Sequence, residues 1–300
     1  MKSNLQNLSF DFIHYSKYML SVSIVLILIS LYCLIFKGID MSIDFQGGTI
    51  INLSVDRDGL NLSQLRKSLS SDLQQSVGVV EVKSQKSTTE LILTMEYLEN
   101  EETLHASLKN IYSDQYNIIK IESIGPKIGN ELKGNARNAI IASLIIIGIY
   151  IGIRFDGSYA LGSILALIHD IIITLGIFII LKIEISIAVV AAFLTIVGYS
   201  LNDTIVIYDR IRENFLKNPH REKNKVINES LVQTLNRTIV TSITTLLVVI
   251  VLYIYGGEVL RPFSLALIIG VILGTYSSLF VASPAMLYLE KKYNVEIEET

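Results

Sequence analysis

The chain of 300 residues contains no tryptophan, four prolines and a single cysteine, Cys33. One cysteine excludes an internal disulfide and a metal site built from clustered cysteines. Because Cys33 lies in an apolar run, it reads as a small core or lipid-facing residue. Charge is scarce as well: only 18% of residues are Asp, Glu, Lys or Arg, with a formal net charge of −3. No face or tail is basic enough to hold nucleic acid, so no nucleic-acid partner is expected. Enzyme signatures are missing too: there is no His-Glu-x-x-His, no Gly-x-Ser-x-Gly and no Gly-x-x-x-x-Gly-Lys phosphate loop. Tyr208-Asp209 faintly echoes an intramembrane aspartyl protease, but the Gly-x-Gly-Asp motif that must accompany it is absent. No enzyme, metal or organic cofactor is therefore expected, and any work must be driven by an ion gradient or a partner.

What the chain has in quantity is apolar sequence, 51% of its residues. A membrane helix needs about 20 largely apolar residues to cross roughly 30 Å of hydrocarbon. Six segments qualify, at about 18–36, 137–153, 160–181, 186–207, 238–256 and 264–288. The first reads as an uncleaved helix, since no small-x-small cleavage site follows it. Residues 37–136 form one polar stretch, 208–237 form a polar connection, and 291–300 form a C-terminal tail. Lys and Arg in the short connections set the orientation. With the N-terminus inside, the inner side collects 12 of them and the outer turns only two, Lys182 and Arg261. Both termini are expected in the cytoplasm, with 37–136 outside and lipid around the bundle.

The outer stretch has its own periodicity. Thr49–Val55 alternates as a strand, and Leu62, Leu65, Leu69 and Leu73 recur at helical spacing. Val77–Lys83 and Glu90–Met95 read as strands, Glu101–Tyr112 as a helix and Asn117–Ile124 as a final strand. This order predicts a ferredoxin-like α+β (βαββαβ) domain inserted between helices 1 and 2 of a six-helix membrane bundle. Asp44, followed by Gly47 and Gly48, leads into its first strand. The paired glycines there allow positive φ and a tight entry.

Polar residues inside the apolar segments are costly, about 2.5–3.5 kcal/mol for a charge at a helix centre. Asp170 lies near mid-span, with His169 beside it and Thr174 one turn on. His169 reads either as a relay partner or as a hydrogen-bonded core histidine. Thr195, Tyr199 and Asp203 recur at i, i+4 and i+8, with Asn202 adjacent. Arg237, Thr241, Thr244 and Thr245 start the fifth helix; Thr275, Ser278 and Ser283 mark the sixth. Two readings stand for Asp203, a relay carboxylate or a solvated one at the interface. Asp170 reads either as a functional, proton-binding acid or as one that is neutralised or paired with Arg237. Arg237, at the opening of its helix, either works inside the bundle or snorkels to the headgroups. The hydroxyl stripes read as helix cross-links, and Gly148-x-x-x-Gly152 and Gly270-x-x-x-Gly274 as close helix contacts.

Four stretches together resemble one family: Asp44-Phe-Gln-Gly-Gly-Thr49, Leu167-Ile-His-Asp170, Gly198-Tyr-Ser-Leu-Asn-Asp-Thr204 running into Tyr208–Asn214, and Leu235-Asn-Arg-Thr238. They are similar to the SecD/SecF protein-export family, within the resistance-nodulation-division superfamily. The resemblance implies the smaller of two subunit types, separate rather than fused, in the bacterial inner membrane. It also implies a SecD-like partner, association with the Sec translocon channel and its accessory subunits, and a translocating polypeptide as substrate. The proton-motive force would drive completion and release of that polypeptide, with sodium as the alternative ion. Asp203 and Arg237 match positions tied to proton conduction, and Asp170 and Asn202 belong to the same polar seam. Two other readings compete: half of an ion-coupled small-solute exporter, and a non-transporting scaffold.

Overall fold

The computed structural model describes residues 10–55, 62–74, 76–82, 89–97, 106, 108, 109 and 116–298 of the chain. It divides into two compact units, 41–137 on one hand and 1–40 with 138–300 on the other. The first helix, α1 (Phe12–Phe36), starts on an Asp11 cap whose carboxylate accepts the His14 N–H at 2.9 Å.

In unit 41–137, a short helix α2 (Ile43–Gln46) leads into β1 (Gly48–Val55), then α3 (Leu62–Asp72), β2 (Gly78–Val82), β3 (Thr89–Met95) and β4 (Tyr116–Ile124). The four strands pair antiparallel in the order β2-β3-β1-β4, which is the split βαβ arrangement expected. The expected helix at Glu101–Tyr112 falls mostly outside the described residues; those described there, 106, 108 and 109, are helical. Alternation explains the core: Ile51, Leu53 and Val55 of β1 and Leu91, Leu93 and Met95 of β3 point to one face. Leu65, Leu69 and Leu108 cover that face. Gly47 (φ +79°) and Gly48 (φ +147°) make the sharp entry. A Cβ on Gly47 would stand 2.8 Å from Pro126 Cα, and one on Gly48 would stand 2.8 Å from the Met95 carbonyl. Positive φ and close backbone thus both require the glycine pair.

Among the described residues, six helices are long and apolar enough to cross a membrane. After α1 come α4 (Pro126–Arg154), α5 (Gly157–Leu181), α6 (Ile187–Lys217) and α7 (Lys223–Tyr255). The sixth span comprises α8 (Gly257–Ser277), a π-turn (Ser278–Ala282) and α9 (Ser283–Glu298). The expected connection 208–237 is corrected here. It is almost wholly helical, and only 218–222 join α6 to α7. Arg237 therefore does not open its helix; it lies fourteen residues beyond Lys223, where α7 begins. The polar residues had concealed a continuing 3.6-residue seam, in which Tyr208, Ile211, Ile227, Leu231 and Leu235 are all buried.

Small residues set the close crossings. Gly270 and Gly274 of α8 lie against Ile196 and Ser200 of α6, and Gly176 of α5 lies against Ser30 of α1. The π-turn has a local cause in Pro284, which has no N–H and whose ring crowds the preceding turn. Ser283 Oγ donates to the Ser278 carbonyl at 3.0 Å, and the buried Tyr208 hydroxyl donates to the Ala282 carbonyl at 3.1 Å.

Gly270→Ala is expected to lower stability by about 1–3 kcal/mol through overpacking against Ile196. Gly134→Ala, facing open space, is expected to be tolerated. Thermal unfolding in detergent, followed by circular dichroism, reads both; equal losses would refute the crossing argument. Between α5 and α6, burial first and then the Asp40 carboxylate push the Glu184 pKa upward. The folded state there binds the proton more tightly than the unfolded chain. Stability is therefore lost as pH rises from the ordinary glutamate pKa through the raised one. Glu184→Gln should remove that slope, matching wild type in acid and exceeding it at neutral pH in the same melting assay.

Candidate functional site

Two buried carboxylates sit in the membrane helices, and their surroundings differ. Asp203 of α6 is only 3% exposed, yet its Oδ2 accepts no hydrogen bond from any described residue. The same holds for Tyr199 Oη, one turn earlier on α6, and for Thr238 Oγ1 of α7. A buried polar atom left unpaired costs about 1–3 kcal/mol. Arg237, next to Thr238, interacts electrostatically with Asp203 while remaining exposed. Asn202 and Thr195 are exposed on α6 as well. A buried acid thus borders an open polar face, an arrangement suited to binding an ion or a group from another chain.

Asp170 of α5, by contrast, is enclosed and fully paired. Its Oδ2 accepts hydroxyls from Ser200 of α6 and Ser277 of α8, each at 2.8 Å. Its Oδ1 lies 2.8 Å from His169 Nδ1. His169 Nε2 lies 3.1 Å from Ser23 Oγ of α1, which lies 2.9 Å from Tyr276 Oη; Tyr276 in turn donates to the Met19 carbonyl at 2.6 Å.

The donors in this chain can be counted from its end. A carbonyl only accepts, so the Tyr276 proton points at Met19, and Ser23 must spend its own proton on Tyr276. Ser23 then accepts from His169, which fixes a proton on Nε2. One proton remains for the His169–Asp170 link: either it sits on Nδ1, giving imidazolium and carboxylate, or on Oδ1, giving two neutral groups. Both states carry no net charge, which is how four helices can share a carboxyl in hydrocarbon. His169 is thus buried and hydrogen-bonded at both ring nitrogens, a geometry that both readings of it predict.

Arg237 therefore lies within electrostatic reach of Asp203 without a direct ion pair, Asn202 is exposed on the same helix as Asp203, and Asp170 belongs to a separate closed network. The two are linked through Ser200, which sits three residues before Asp203 and whose carbonyl accepts the Thr204 hydroxyl at 3.1 Å. Asp44, Gly47 and Gly48 lie in the other unit and shape a strand entry. Sequence reasoning missed Ser23, Ser200, Ser277 and Tyr276. Ser200 stands off the Thr195–Tyr199–Asp203 stripe, and nothing in the period of α1 marks Ser23.

Residues 103–292 match the family model described as protein export membrane protein SecD/SecF, C-terminal, and residues 34–58 match the SecD/SecF GG motif. The protein translocase subunit SecF of Desulfurispirillum indicum is 37% identical over 293 residues, covering 94% of this chain and 92% of that one. That of Rhodothermus marinus is 39% identical over 296 residues, covering 96% and 95%. A crystal structure of SecDF, a translocon-associated membrane protein from Thermus thermophilus, superposes with a TM-score of 0.85 at 35% identity. The match covers 96% of this chain but only 40% of that one. A second SecDF crystal structure, in a super-membrane-facing form, gives a TM-score of 0.72 at 34% identity, again with 40% of that chain covered.

The donor count makes a sharp contrast between two substitutions. In Asp170→Asn, the amide can donate to Nδ1 while its oxygen accepts both serine hydroxyls, so melting is expected near wild type. Asp170→Ala strands Ser200, Ser277 and Nδ1, at about 1–3 kcal/mol each. Its melting temperature should drop well below that of Asp170→Asn. Equal destabilisation by the two would show that the proton is not shared as derived.

Proposed function

The chain belongs to the SecD/SecF family of protein-export membrane proteins as a SecF-type translocase subunit, and from that we propose that it couples an ion gradient to polypeptide export. The observation that carries this reading is the unpaired, buried Oδ2 of Asp203 beside the exposed Arg237 and Asn202. A lone subunit gains nothing from such an arrangement, whereas a half-site completed by a second subunit does. The SecDF chains of known structure are longer than this one, which spans 40% of them. A SecD-like subunit supplying the rest, seated on the Thr195–Asn202 and Arg237 face, is the partner that fits.

In this reading Asp203 takes up a proton from one side and releases it to the other, with the distance to Arg237 deciding when. Each charge moved through the membrane potential yields about 2.3 kcal/mol per 100 mV. That work would move the outer unit and help complete and release a polypeptide threaded through the Sec channel. Asp170, one turn from Asp203 through Ser200, would hold the helices around the relay. Sodium could use the same carboxylate, amide and hydroxyl set. Both termini would be cytoplasmic in a bacterial inner membrane, with 41–137 outside, and the gradient would stand in for any cofactor or catalysed reaction.

Secretion in cells carrying Asp203→Asn, with and without an uncoupler, tests the proposal once pull-down shows the SecD-like subunit still bound. The gradient-dependent part of export should disappear while the complex stays intact. Full export by the variant would leave Asp203 structural and favour a scaffold.

A further inference from the structure

A cleft of ≈ 910 Å³ opens between the start of α1 and the start of α7, away from both carboxylates. Asn228 of α7 closes its floor: Oδ1 accepts the Phe12 N–H at 2.7 Å, and Nδ2 donates to the Phe10 carbonyl at 3.0 Å. The walls carry both signs of charge in balance. Lys17, Arg221 and Lys225 line the cleft together with Asp11, Glu222 and Glu229. Arg221 pairs with Glu229 at 2.6 Å and Lys225 with Glu222 at 2.9 Å. Lys17 has no ion-pair partner among the described residues, and Asp11 spends one oxygen on the α1 cap.

What lies beyond the cleft identifies its occupant. His14, Lys17, Tyr18 and Ser21 line it at helical spacing, and the same stripe of α1 continues through the exposed Val25, Leu28, Tyr32 and Ile35. On α7, Lys225, Asn228 and Val232 line it, and their stripe continues through the exposed Val240, Ile243, Leu247 and Ile254. A polar, charge-balanced head thus sits directly on two apolar tracks, with Tyr18 at the junction, where aromatic side chains favour the interface.

We propose that this cleft binds one phospholipid with a zwitterionic primary-amine headgroup, phosphatidylethanolamine in chemical class, with its acyl chains along α1 and α7. Lys17 meets the phosphate. The ammonium, with three N–H donors, lies among the carboxylates of Asp11, Glu222 and Glu229. An anionic headgroup would find as many acids as bases, and a quaternary ammonium would find a single aromatic ring where it needs a cage.

The test uses the full chain, with any subunit that co-purifies, in nanodiscs of phosphatidylethanolamine, phosphatidylglycerol and phosphatidylcholine in equal parts. Native mass spectrometry then counts the lipids retained on release. Phosphatidylethanolamine should be retained preferentially. Lys17→Ala and Glu229→Gln should each reduce its retention about fivefold, the effect of one exposed ionic contact. Both side chains are at the surface or partly so, and circular dichroism of the variants checks that they fold. Equal retention of the three lipids, preference for phosphatidylglycerol, or unchanged retention in both variants would overturn the proposal. So would variants that shed a partner subunit instead of lipid, which would make the cleft a protein contact.

Discussion

The single proton between His169 and Asp170 is the constraint around which the membrane helices are organised. A carboxyl at that depth can stay only if both of its oxygens find hydrogen-bond partners and the net charge vanishes. Meeting that condition takes side chains from α1, α5, α6 and α8 at once: Ser23 and Tyr276 at one end, Ser200 and Ser277 at the other. The helices must therefore come close, and the glycines at 176, 270 and 274 permit it. Polar pairing and small-residue packing are two sides of one requirement.

Set beside this closed centre, Asp203 shows the opposite treatment of the same chemical group. It is nearly as buried, but one of its oxygens and the hydroxyls of Tyr199 and Thr238 lack partners among the described residues. A fold able to satisfy one carboxyl through four helices leaves the other incomplete at an open face. That contrast separates a carboxyl whose partners this chain supplies from one whose partners it does not supply among the described residues.

Much of this was legible in the residues. Six apolar runs, the alternation of Thr49–Val55 and the leucine spacing of α3 foretold both units and the strand order. Asp203, Arg237 and Asp170 were visible because charge in an apolar run is rare. The polar face of 208–237 misled: a helix whose outer side is solvated looks like a connection when composition is weighed ahead of period. Ser23 and Ser277 were illegible for a different reason. A serine in a membrane helix is common, and only the three-dimensional crossing of α1 and α8 over α5 shows which ones are spent on His169 and Asp170.

The π-turn at Ser278–Ala282 has a consequence for how the last span can change. An extra residue in one turn rotates everything after it by about 100° relative to an unbroken α-helix. Ser277 and Met286 are thus phased independently, the first toward Asp170 and the second against Gly162. The bulge acts as a phase adjuster, letting one continuous span serve two neighbours whose spacing no regular helix would fit. Substitutions beyond Ala282 can drift without re-aiming the serine that completes the buried centre.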